Sequence, residues 1–149
     1  MSKAITAGVL ALVTGMAAGC IGIERKSTLE PTGGAGALLG NWTSGSLIPQ
    51  PGQCSDFKWD VTEQTGNSAA GSFSATCADD LKISGTAQGT LTGSVVNWSA
   101  QATASVPGLA SCPIALTGTA ELLVDSIRVP YSGTTCLGPV SGVETLRRN

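Results

Sequence analysis

From Leu38 onward, apolar and polar positions alternate with a period of two, the spacing that puts one kind of side chain on each face of a strand. In Leu81–Thr92 every odd position is apolar or glycine and every even position is polar. Val96, Trp98, Ala100, Ala102 and Ala104 then alternate with Asn97, Ser99, Gln101 and Thr103. Ile114, Leu116, Gly118, Ala120 and Leu122 repeat the pattern, as do Ile127, Val129 and Tyr131. The pattern predicts eight strands at 38–45, 56–63, 69–77, 80–91, 94–104, 112–122, 126–133 and 139–147. No helical run follows the first twenty residues.

Short connections make consecutive strands neighbours. The fold class expected is therefore all-β, an antiparallel up-and-down meander of about eight strands. Such a meander with one apolar face closes into a small barrel or stacks as a two-sheet sandwich, and closure removes both exposed edges. Thr92-Gly93 and Asp79-Asp80 read as turns. Opposing Phe57 with Phe73 makes Gln64-Thr65-Gly66 a three-residue loop with glycine in the left-handed position. That register sets Cys54 against Thr76, so a bridge to Cys77 needs either a bulge near Ser55 or an offset pair.

The first twenty residues say where the chain goes. Lys3 precedes an apolar run from Ala4 to Val13, followed by Met16-Ala17-Ala18-Gly19-Cys20. A run this short, with small residues after it, reads as a secretory signal rather than a membrane span. Ala17-Ala18-Gly19-Cys20 resembles the lipobox of bacterial lipoproteins, with alanine where that family prefers leucine. The resemblance implies acylation of Cys20, a membrane-anchored partner-facing domain in the bacterial cell envelope, and, with Ile21 next, delivery to the outer membrane of a Gram-negative cell. The expected organisation is signal peptide 1–19, tether 20–37 and β-domain 38–149. The tether holds Glu24-Arg25-Lys26, Pro31 and Gly33-Gly34-Ala35-Gly36, a well-solvated composition.

Four cysteines remain beyond Cys20, an even set in an exported chain. Their spacing favours Cys54 with Cys77 and Cys112 with Cys136, each pair bracketing one hairpin's length. Zinc is the poorer reading, because the chain has no histidine and no Cys-x-x-Cys. No metal or other cofactor is expected. Loss of Lys3 with the signal leaves seven basic and ten acidic residues, and no basic patch points to nucleic acid. Without histidine or a free thiol, no nucleophile, base and orienting group assemble, so no enzyme is expected.

Leu39-Gly40-Asn41-Trp42 resembles the Gly-x-Trp signature of the calycins, a group that includes lipocalins. In that group a basic residue near the end of the last strand packs over the tryptophan, a place held here by Arg147 and Arg148. The resemblance implies a closed barrel with Gly40, Trp42, Arg147 and Arg148 at its seam. Two binding roles follow, both for a monomer. In one, Trp42, Phe57, Trp59, Phe73, Trp98 and Tyr131 line a pocket for a small apolar ligand. In the other they fill a solid core, and a surface or inhibitor-like module meets a protein or glycan through loops 46–55 and 105–111. The sequons at Asn41 and Asn97 fall within predicted strands. Ile83-Ser84-Gly85-Thr86-Ala87 and Leu116-Thr117-Gly118-Thr119-Ala120 share one pattern, read either as an old duplication or as two strands solving one curvature problem.

Overall fold

The alternating segments form eight strands: β1 Gly40–Ser44, β2 Cys54–Thr65, β3 Ser68–Cys77, β4 Leu81–Thr92, β5 Val95–Val106, β6 Leu109–Leu122, β7 Ser126–Thr135 and β8 Gly138–Arg148. The structure is a computed structural model that describes residues 34–106 and 109–149. The signal, Cys20 and the tether as far as residue 33 lie outside the described residues. Each strand pairs antiparallel with the next, and β8 returns to β1, so the wall is a closed barrel in meander order. The sandwich alternative is excluded by the β1–β8 ladder, which sets Trp42 against Arg148, Thr43 against Arg147 and Ser44 against Leu146.

Alternation places the apolar set inside. Leu81, Ile83, Ala87 and Leu91 of β4 are buried while Lys82, Ser84, Thr86, Gln88 and Thr90 face solvent. A barrel that spans a bilayer has the reverse arrangement, apolar outside and polar within. Closure over eight strands demands sharp coiling, and glycines on four strands permit it, Gly71, Gly85, Gly118 and Gly133. A Cβ at Gly85 would lie 2.0 Å from the Gln101 carbonyl oxygen, and one at Gly118 would lie 2.0 Å from that of Pro130. No side chain fits there. These are the central glycines of the two similar pentapeptides, which is the curvature reading of their likeness.

Three expectations need correction. The β2–β3 loop is Gly66-Asn67, two residues rather than Gln64-Thr65-Gly66, and Trp59 rather than Phe57 opposes Phe73. Thr65 opposes Ser68 and a register shift between Val61 and Glu63 then sets Trp59 against Phe73; a second shift follows between Ser55 and Lys58. The second carries Asp56 in the left-handed region at φ 51° and brings Cys54 opposite Cys77. Of the two alternatives, a bulge near Ser55 or an offset pair, the structure has a register shift at that place, though it acts on the Trp59–Phe73 register. Similarly, Gly93-Ser94 forms the β4–β5 turn, with Gly93 at φ 62°, a first-position glycine suited to tight hairpins. Finally, β5 and β6 run on to Val106 and Leu109. The expected contact loop 105–111 shrinks to two residues because the ladder continues across it.

Asp79 and Asp80 do turn the chain between β3 and β4, both at positive φ, a conformation aspartate tolerates better than most residues. Turns β2–β3, β4–β5 and β6–β7 lie at one end of the barrel and are laced together: Leu91 N donates to Asn67 O (2.8 Å) and Leu122 N to Ser94 O (2.7 Å). The opposite end, the mouth, carries the 45–53 segment, the Asp79-Asp80 turn and the β7–β8 turn.

Candidate functional site

Inward alternation brings five of the six candidate aromatics into the core, with Trp42, Phe57, Trp59, Phe73 and Tyr131 all buried and Trp98 half-buried. Phe57 is the hub. Its ring lies 5.5 Å from that of Phe73 and 5.0 Å from that of Tyr131, both tilted, the separations at which aromatic pairs attract. Between Phe57, Trp59, Phe73, Trp98 and the aliphatic residues Ala87, Val96, Ala120, Ile127, Val129 and Leu146 a void of about 30 Å³ remains. A pocket for an organic ligand runs to about 300–1,000 Å³. The interior space is that of a water molecule or two, and its lining is wholly apolar.

Trp42 does not line this void. Its indole N–H donates to Leu38 O at 2.7 Å, and the Arg148 guanidinium covers its ring at 4.5 Å. Arg148 also donates to Ala37 O. A stacked guanidinium contributes about 0.5–2 kcal/mol, here between the first and last strands. Arg147 takes the outward register opposite Thr43, so of the two candidate arginines Arg148 makes the seal. Gly40 opens β1 at φ 112° opposite Val61. The turn Gly34–Ala37 joins the same seam, because Gln64 accepts from Leu38 N (2.9 Å) and donates to Gly34 O (3.2 Å).

A polar group inside the wall was not anticipated from the sequence. Val140, Gly142, Glu144 and Leu146 share the inward phase of β8, which makes Glu144 an inward carboxylate near Ser44 and Tyr131. Burial raises its pKa above the usual carboxylate value, opposed by a Ser44 hydrogen bond. Tyr131 Oη accepts from Cys54 N (2.6 Å) and donates to Cys54 O (2.8 Å). Burial pushes this phenol upward as well, the Cys54 backbone bond opposes the rise, and the Glu144 charge adds to it. The signal was present in the alternation of Val140 and Leu146 about Glu144. Val143, half exposed on the outer face, masks it in a reading by residue type.

Both expected disulfides are formed, Cys54–Cys77 and Cys112–Cys136. Among the described residues no group of three or more His, Cys, Asp or Glu could hold a metal ion. At the mouth, Leu47 and Ile48 of the 45–53 segment and Leu137 of the β7–β8 turn are exposed apolar residues. The segment is pinned by Ser46 O to Asp56 N (2.7 Å) and by Gly52 O to Ser141 N (3.1 Å). It covers the stretch where β1, only five residues long, leaves β2 and β8 unpaired with each other.

Charge divides the outer wall. From Gln64 to Ala120 the only charged residues are Asp79, Asp80 and Lys82, so the outward face of β3–β6 is mostly hydroxyls and amides, with Lys82 and Glu121 its charged members. The other charges of the described residues sit on β2, at the β6–β7 turn and on β7 and β8. Comparison with protein-family models, with curated proteins and with solved structures finds no match for this chain.

Proposed function

We propose that this chain is an exported bacterial lipoprotein, anchored through Cys20, whose barrel is a non-enzymatic binding module that recognises its partner with its outer surface rather than carrying a ligand inside. The observation that carries this reading is the filled interior, about 30 Å³ of apolar void where a carrier needs roughly ten times more. The exposed apolar residues of the mouth and the neutral outer wall supply surfaces for contact. The Gly40-x-Trp42 and Arg148 seam supports a calycin-like barrel used as a rigid scaffold. The test is native mass spectrometry of the chain purified from the envelope of an exporting bacterium. The expected mass is that of the chain from Cys20 with two disulfides and its acyl groups, and nothing else. A co-purifying small apolar molecule released on unfolding overturns the filled-core reading. Palmitate labelling lost in Cys20→Ser checks the anchor separately.

A further inference from the structure

Long uninterrupted ladders on the sparsely charged side of the wall, ten residues each from β3 to β6, array side chains in rows. Gln88, Ser99 and Thr117 are register partners across β4, β5 and β6, and Thr90, Asn97 and Thr119 form the next row. All six face outward, and together they line a shallow open trough of about 720 Å³. Two hydrogen bonds within the rows orient the amides. Gln88 Nε2 donates to Ser99 Oγ at 3.4 Å, and Thr119 Oγ1 donates to Asn97 Oδ1 at 3.0 Å.

Those bonds fix which end of each amide is left over. Asn97 keeps its Nδ2 donors and Gln88 keeps its Oε1 acceptor for a ligand, already turned the right way. A site oriented before binding loses less freedom on binding. Glu63 stands at one edge as a strong acceptor, and Trp98 contributes to the trough's lining. No cation lines it, so nothing there would neutralise a phosphate, a sulfate or a carboxylate.

We propose that this trough binds a neutral glycan, with the Asn97 amide donating to ring or hydroxyl oxygens and Gln88, Glu63 and the threonine hydroxyls accepting from sugar hydroxyls. A neutral sugar chain presents alternating hydroxyl donors and acceptors at short intervals and carries no charge to be compensated, which is what the two rows match. The proposal rests on the outer-surface reading above and names its ligand class.

The test is a titration of ¹⁵N-labelled chain, starting at residue 20 and carrying Cys20→Ser, with cellotetraose, maltotetraose and N-acetylchitotetraose in turn. At least one is expected to shift the side-chain NH₂ signals of Asn97 and Gln88 saturably. Gln88→Ala, with an otherwise unchanged spectrum, is expected to weaken that binding at least tenfold. Thr119→Val, which frees the Asn97 amide and removes one accepting hydroxyl, is expected to weaken it several-fold. If all three sugars leave both amides unmoved, the glycan proposal fails. If shifts gather on the 45–53 segment instead, the trough is wrong and recognition by the outer surface stands. If the buried Trp59 indole signal moves while the outer amides stay still, both readings fall.

Discussion

The two halves of the barrel wall are held in different ways. Strands β3–β6 are the more regular: β3 pairs with β4, and β4 with β5, through ten consecutive residues each, and β5 with β6 shifts register only between Ala104 and Val106. Their inner face is mostly small, with Ala75, Gly85, Ala87, Gly89, Ala100 and Ala102. Strands β7 and β8 also pair through ten consecutive residues, but this half contains a five-residue β1 and a β2 with two register shifts. Its strands supply Trp42, Phe57, Trp59 and Tyr131, the carboxylate of Glu144 and the Arg148 seal. Backbone ladders run through both halves, and the second adds the large side chains. The large residues of the second fill the space left by the small residues of the first: Trp59 Cη2 comes within 3.5 Å of where a Cβ on Gly89 would sit. Each border between the halves is stapled, β2 to β3 by Cys54–Cys77 and β6 to the β7–β8 turn by Cys112–Cys136.

If the halves are joined chiefly at those borders, the largest effect comes from cutting one. Replacing Cys112 and Cys136 by serine is expected to cost about 3 kcal/mol, the entropic value for a loop of this length, read from urea denaturation with and without reductant. Next is a blow to the regular half. Gly85→Ala pushes a methyl group into the β5 backbone and is expected to cost about 1–3 kcal/mol, whereas the outward Thr86→Ala stays within about 0.5 kcal/mol. Equal melting temperatures for the two variants would refute the ladder account. At the seam, Arg148→Ala is expected to cost about 1 kcal/mol and to raise amide exchange in β1 and β8 more than in β4 and β5. Uniform exchange across the wall would show that no seam exists.

The smallest effect is on pH dependence. Because burial raises the Glu144 pKa above its unfolded value, the native state holds that proton to higher pH than the unfolded chain does. Stability is therefore lost as pH rises from the ordinary carboxylate value through the raised one, and the loss is complete above it. Glu144→Gln is expected to melt higher than the parent at neutral pH and to flatten that slope. A parent and variant with parallel pH profiles would mean that Glu144 carries no such penalty.

How far the fold was legible follows the same division. In the regular half, period-two alternation from Leu81 to Leu122 specified strands, inward faces and the curvature glycines Gly85 and Gly118, since a one-residue slip there would turn the whole apolar set outward. In the irregular half, the shifts at Asp56 and between Val61 and Glu63 depend on which backbone positions can leave the ladder, and residue types do not encode that. The disulfide partners came from spacing, and a choice between a bulge and an offset pair followed from them. The seam was legible through Gly40, Trp42 and the terminal arginine pair, but which arginine reached the indole depended on register: Arg148 shares the phase of Leu146 and Arg147 does not. Rows on the outer wall escaped notice because a threonine or an amide reads as ordinary solvent-facing filler until its cross-strand neighbours are known. Glu144 escaped for a related reason, being judged by its charge and not by its place in the alternation.

Arg148 grips a carbonyl 111 residues earlier in the chain, and that distance has a consequence for biogenesis. Most of the sheet can assemble hairpin by hairpin as polypeptide emerges, each ladder needing only its immediate predecessor. The last ladder cannot start until synthesis or translocation has delivered β8, and bringing partners so far apart together is entropically slow. Until then the indole of Trp42 and the aromatic cluster behind it stay wet. A holding factor, or prompt oxidation of the first cysteine pair, would matter most in that interval.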